Sequence, residues 1–218
     1  QNIAHELKTP VASIQGYLET ILGNDDMSEE TKKQFMQRCF AQSQRLTALL
    51  HDISTLNRMD DAPQETEFGE VDITQMVATI KSETALQLAE KDMAFNNLLP
   101  KDLAVEGNQS LLYSVFRNLV DNAIAYAGVG TTIILSAQKE GPMWHFIFKD
   151  NGVGVPREHL PRLFERFYRV DKGRSRKMGG TGLGLAIVKN AVLLHGGKIS
   201  VDNQLSGGLI FDFTLPAC

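Results

Sequence analysis

Apolar residues recur at Ala4, Leu7, Val11, Ile14, Leu18 and Ile21, in steps of three, four, three, four and three. This heptad seam demands a helix packed along its length against another helix. The stretch "GNDDMSEE" (residues 23–30) ends it, with Gly23 and Asn24 suited to a helix stop, Ser28 to an N-cap, and Glu29 and Glu30 to a first turn. A second seam follows at Phe35, Cys39, Gln42, Leu46, Leu49, Ile53 and Leu56. Cys39 is expected to be a small buried hydrophobe in that stripe. A two-helix hairpin cannot bury both stripes alone. A homodimeric four-helix bundle is the economical solution.

The acidic stretch "MDDAPQETEFGE" (residues 59–70) contains Pro63 and Gly69 and reads as a hinge. This divides the chain into a hairpin (1–60), a hinge (61–70) and a second domain (71–218). Beyond the hinge the pattern is mixed. Asp72 is expected to cap a helix reaching about residue 92, with short strands at 93–98 and 103–106 and a helix at 110–127. "TTIILSAQ" and "WHFIFKD" read as neighbouring strands around a turn at Glu140-Gly141-Pro142. A short helix at 157–167, a basic glycine-rich stretch, a helix at 183–195 and a closing hairpin complete the reading. Without regular βαβ alternation, the expected fold is an α+β two-layer sandwich with one helical layer.

A net charge of -4 argues against a general nucleic-acid surface. Two cysteines far apart in sequence fit a reducing compartment. No apolar run approaches the roughly 20 residues of a membrane span.

Three stretches of the second domain are candidates for touching a nucleotide. In "RNLVDNA" (residues 117–123), Asn118 and Asn122 share one helix face, and an amide oxygen is a neutral ligand for Mg2+. In "KDNGVGVP" (residues 149–156), Asp150 ends a strand, while Gly152 and Gly154 allow close backbone approach. In "GGTGLGLAIVK" (residues 179–189), Gly180, Gly182 and Gly184 lead into a helix whose free N–H groups attract anions. The G-x-G-x-G spacing and the basic segment before it exclude a Rossmann fingerprint, and no Walker P-loop occurs. Lys172, Arg174, Arg176 and Lys177 precede the glycines and suit a lid closing on phosphates.

Taken in order, the chain resembles the cytoplasmic core of a bacterial sensor histidine kinase. "HELKTP" resembles the histidine box, "NLVDNA" the asparagine box, "DNGVGVP" the first glycine box, "FERFYRVD" the phenylalanine box and "GGTGLGLAIVK" the second glycine box. The resemblance implies a dimeric phosphotransfer hairpin followed by an ATP-binding domain of the Bergerat type. It implies that Asn122 ligates Mg2+, with Asn118 beside it, and that Asp150 accepts the adenine amino group. Gly152, Gly154 and Tyr126 would line that pocket. Gly180, Thr181, Gly182, Leu183 and Gly184 would flank the phosphates. Phe164 and Phe167 would anchor the lid, and Arg169 would reach the γ-phosphate or the hairpin. Ala125 stands where many relatives carry a basic residue, so either Arg117 or the lid compensates or ATP affinity is reduced.

By heptad phase, His5 sits one position beyond a core residue and points to solvent, where a neutral imidazole is nucleophilic near pH 7. The resemblance makes it the phosphoacceptor, with Glu6 orienting the ring and taking its proton. Thr9 stacks four residues on and completes the H-E-x-x-T pattern tied in that family to dephosphorylating the partner. The implied function is ATP-dependent phosphorylation of His5, then transfer to a response-regulator receiver aspartate, in a fragment cut from a membrane sensor just before its histidine. The alternatives are a Bergerat-fold ATPase or an ATP-binding pseudokinase scaffold. Pro10 lacks an N–H and crowds the carbonyl of Glu6, which suggests a bend point below His5.

Overall fold

A computed structural model describes residues 2–61, 67–171 and 180–218. Pro63 of the expected hinge and the basic residues Lys172, Arg174, Arg176 and Lys177 lie outside the described residues.

The two seams form the antiparallel pair α1 (Asn2–Leu22) and α2 (Glu29–Asp61). One half of the first seam, Leu7, Ile14 and Ile21, is partly buried, while Ala4, Val11 and Leu18 remain exposed. Cys39 is half-buried rather than buried; it faces α1, its Sγ 3.8 Å from the Ile14 carbonyl. Helix α1 continues through the buried Pro10 without interruption. No helix among the described residues is long and apolar enough to cross a membrane.

The expected hinge is shorter than the sequence suggests. Its last residues enter strand β1 (Gly69–Asp72), which pairs antiparallel with β3 (Ala104–Gly107) because Val71 buries beside Val105. Asp72 caps α3 (Ile73–Glu83), accepting from the Gln75 amide at 2.8 Å. The single helix expected to residue 92 breaks at Thr84. The buried Thr84 hydroxyl bonds back to the Ile80 carbonyl at 2.8 Å, and α4 (Ala85–Glu90) starts afresh.

A mixed five-stranded sheet follows the order β2-β4-β5-β7-β6, with β2 (Ala94–Leu98) parallel to β4 (Thr132–Glu140). Strands β5 (Met143–Asp150), β7 (Leu209–Pro216) and β6 (Ile199–Asn203) continue it antiparallel. One face packs on α5 (Gln109–Tyr126) and α6 (Gly184–Leu194). Phe116 of α5 meets Phe146 and Phe213, which stack on each other at 5.1 Å, and all three are almost completely buried. Asn108 caps α5 by accepting from the Leu111 amide at 3.0 Å. The helix expected at 157–167 is only a 3-10 helix over Arg157–Arg162, cut short around Pro161. The result is a helical hairpin followed by an α/β two-layer sandwich; α2 packs on α6 and contributes Leu49, Leu56 and Met59 to the shared core.

Candidate functional site

Strand β5 delivers Asp150 to the lip of the sandwich, where it is only 4% exposed. Its Oδ1 accepts from the Gly152 amide at 2.9 Å, and the Leu209 amide also donates to the carboxylate. Burial nevertheless raises its pKa above the ordinary aspartate value. The backbone turns there within bonding reach of α5: the Val153 amide donates to the Ala127 carbonyl at 3.3 Å. A side chain on Gly152 would strike the Ala127 backbone. Gly154 has φ +65°, a conformation that favours glycine. A buried carboxylate at the end of a slot kept open by absent side chains fits a flat heterocycle carrying an amino group.

Helix α5 carries the amides. Asn118 Nδ2 donates to the Ser114 carbonyl at 2.8 Å, which turns Oδ1 toward Gly184 at the start of α6. A Cβ on Gly184 would lie 2.6 Å from that oxygen. Asn122, Ala125 and Tyr126 follow on the same helix, each half-buried. Leu183, the residue before α6, is buried and supplies no side-chain cap, so the first amides of α6 are available to an anion. These features suit a triphosphate. Among the described residues no cluster of three or more acidic, His or Cys side chains could hold a metal, so an ion here would need amide and phosphate oxygens.

Arg169 braces the glycine loop. Its Nη2 donates to the Gly180 and Thr181 carbonyls, each at 2.8 Å. Phe167, at φ 64°, donates its amide to the Gly182 carbonyl at 2.7 Å, while Gly182 itself has φ +76°. Phe164 packs edge-on to Phe211 at 6.3 Å. The same Arg169 Nη2 reaches Glu6 of the hairpin at 3.3 Å, and Arg45 of α2 reaches Glu6 at 3.4 Å. Both guanidiniums are nearly fully buried, so this ion triad is largely shielded from water. Thr181 donates its hydroxyl to Asp52 of α2 at 2.7 Å and accepts from the Leu183 amide at 3.2 Å. Burial raises the Asp52 pKa, an effect partly offset by the Thr181 hydroxyl. Arg166 pairs with Asp60 at 2.7 Å.

His5 is exposed, as its heptad position requires. The Thr9 hydroxyl, one turn on, donates to the His5 carbonyl at 3.1 Å. Glu6 turns to the two arginines, an engagement that sequence spacing does not reveal because Arg45 and Arg169 are distant in the chain. Arg117, a residue expected to compensate for Ala125, is held by two carboxylates. Its Nε donates to both Asp121 oxygens at 3.0 Å and its Nη1 to Glu83 at 3.0 Å, on the wall of a cleft of about 930 Å³ between α2, α3 and α5. Two further residues, Asn203 and Gln204, hold the Asp150 loop from the far side. A polar pair ahead of the Gly207-Gly208 turn was their only signal in the sequence.

Residues 107–218 match the family described as histidine kinase-, DNA gyrase B- and HSP90-like ATPase, and residues 1–62 match the His Kinase A phospho-acceptor domain. The chain is 35% identical over 215 residues to the sensor-like histidine kinase SenX3 of Mycolicibacterium smegmatis, covering 99% of this chain and 56% of the relative. It is 32% identical over 217 residues to the sensor histidine kinase WalK of Bacillus subtilis, covering 99% of this chain and 36% of WalK. The chain therefore spans about half or less of these relatives. Among solved structures, the Acinetobacter baumannii histidine kinase AdeS superposes with a TM-score of 0.78 at 25% identity, covering 98% of both chains. The chain belongs to the histidine kinase-, DNA gyrase B- and HSP90-like ATPase family, joined to a phospho-acceptor hairpin as in the sensor histidine kinases.

Proposed function

We propose that this chain is the catalytic core of a sensor histidine kinase that phosphorylates His5 from ATP and passes the phosphoryl group to a receiver-domain aspartate. The observation that carries the reading is the Glu6–Arg169 ion pair. It joins the neighbour of the exposed histidine to the arginine that braces the glycine loop. The hairpin and the phosphate-binding end of the ATPase domain are thus already in register.

In this reading Asp150 accepts from the adenine amino group, and the α6 amides with Asn118 bind the phosphates. Asn122 supplies an amide oxygen to Mg2+, which when bound neutralises phosphate charge during transfer. The His5 nitrogen bonds to the γ-phosphorus as the bond to the β–γ bridging oxygen breaks. ADP leaves, and the imidazole proton passes to Glu6 once that carboxylate turns from its arginines. The phosphoramidate then gives its phosphoryl group to a carboxylate. Thr9, one turn after His5, suits a helper that positions a water to hydrolyse the receiver's aspartyl phosphate, releasing inorganic phosphate and the free carboxylate.

Residues 1–60 would serve as the hairpin, 61–70 as the tether and 71–218 as the ATP-binding domain. A homodimer is supported by the exposed Val11, Leu18, Leu22, Met36, Phe40 and Leu50, which leave an apolar hairpin face uncovered. The relatives named as sensors support a place on the cytoplasmic side of a membrane protein. Incubation with labelled ATP should yield acid-labile, base-stable phosphate on the wild-type chain and none on His5→Gln. Label retained by His5→Gln would refute the assignment.

A further inference from the structure

The loop from Asp150 to Pro156 has to hold a left-handed glycine and keep a buried carboxylate aimed into the slot. One side of the loop hangs on the end of α5 through Val153. The other side faces β6, an edge strand of the sheet, whose outer backbone groups pair with no other strand among the described residues. Asn203, the last residue of β6, turns its side chain to that side. Its Oδ1 accepts from the Val155 amide at 3.0 Å, and its Nδ2 donates to the Val155 carbonyl at 2.7 Å. A carboxamide presents the same donor and acceptor as a peptide group, so Asn203 pairs with Val155 as another strand would. Gly154 makes room for it, since a Cβ there would lie 2.5 Å from Asn203 Oδ1. Gln204 grips the other end of the loop. Its Nε2 donates to the Asp150 carbonyl, and its own amide donates to Gly208 at 2.9 Å.

We propose that Asn203 is a positioning residue for nucleotide recognition, a side-chain strut that fixes the Asp150–Gly154 loop to the sheet edge. Asn203 touches no nucleotide; it acts through Val155, and the inference rests on the ATP reading of the site. Removing the amide sends both Val155 backbone groups to water and frees the loop, so Asp150 reads the purine edge less selectively.

The test compares wild type, Asn203→Ala and Asn203→Ser for binding of trinitrophenyl-ATP and its displacement by ATP or GTP. Melting temperature is read alongside. Losing two neutral hydrogen bonds should weaken ATP binding by about tenfold in Asn203→Ala. The ATP-over-GTP preference should fall with it, and Asn203→Ser, which can keep one bond, should lie between. The KM for ATP in autophosphorylation should rise while phosphotransfer from already phosphorylated His5, which does not use the slot, stays as in wild type. Wild-type affinity and preference in a folded Asn203→Ala would overturn the strut. So would an unchanged preference with affinity loss that merely tracks a lower melting temperature. Failure of the wild type to bind the probe would instead overturn the ATP reading.

Discussion

Gly184→Ala sets two effects against each other. Gly184 opens α6, and alanine there gains at most about 1 kcal/mol in helix propensity over glycine. The new Cβ, however, would lie 2.6 Å from Asn118 Oδ1 and 3.3 Å from its Cγ. Asn118 cannot yield while Nδ2 holds the Ser114 carbonyl at 2.8 Å. Swinging it away costs that bond, about 1 kcal/mol, and residual overpacking adds about 1–3 kcal/mol. With the full propensity gain the net loss is about 1–3 kcal/mol, which for a chain of this size lowers the melting temperature by roughly 2–12 °C. Function should suffer far more, because displacing a phosphate-side group by about 1 Å can cost on the order of 100-fold in kcat/KM. Scanning fluorimetry and labelled-ATP autophosphorylation measure both. A double mutant with Asn118→Ala removes the clash and should regain most of the stability, with the two changes non-additive. A Gly184→Ala protein with wild-type activity, or strictly additive losses in the double mutant, would refute the reasoning.

Three further outcomes are expected. His145 lies between Asp212 (2.5 Å) and Glu140 (3.4 Å), and the hydrogen bond to Asp212 chiefly raises its pKa above 6.5. Its contribution is present in full below the unfolded value and is lost as pH rises through the folded one. Asp212→Asn should therefore lower the melting temperature at pH 5.5 and leave it nearly unchanged at pH 8.5. The effect is less than about 1 kcal/mol, since the pair is open to solvent. Asp150 has the opposite sign to most aspartates, because burial raises its pKa from 3.8 and its charge destabilises the fold increasingly as pH climbs past that value. Asp150→Asn should thus abolish detectable ATP binding by calorimetry with a melting temperature at pH 7 no lower than wild type. Leu56 is 3% exposed where α2 meets the sandwich core, and Leu56→Ala should cost about 2–5 kcal/mol by chemical denaturation. ATP affinity should change by less than about threefold.

Much of the candidate site was legible because its residues come in short local motifs. Asn118 and Asn122 share a helix face by spacing alone, Asp150 and its glycines form one turn, and Gly180 to Gly184 lead straight into α6. The cap at Asp72 was legible for the same reason, since it bonds within three residues of itself. The misreadings share a different cause. The helix expected to run to residue 92 breaks because Thr84 is buried, and the hinge ends early because Val71 finds Val105 across the β1–β3 ladder. Arg117 looked available to phosphate until Glu83, a residue 34 positions away, claimed it.

Local chemistry, written in periods of three to seven residues, determined the helical hairpin, the outward face of His5, the glycine-rich loops and the family. Those features depend on neighbours in the chain, which a sequence displays. Tertiary structure decided that Glu6 is held by Arg45 and Arg169, that Thr181 answers to Asp52, and that Asn203 props the Asp150 loop. Each of those contacts joins groups many residues apart. It exists only because packing of the apolar core brings their elements together and leaves buried polar groups that must find partners.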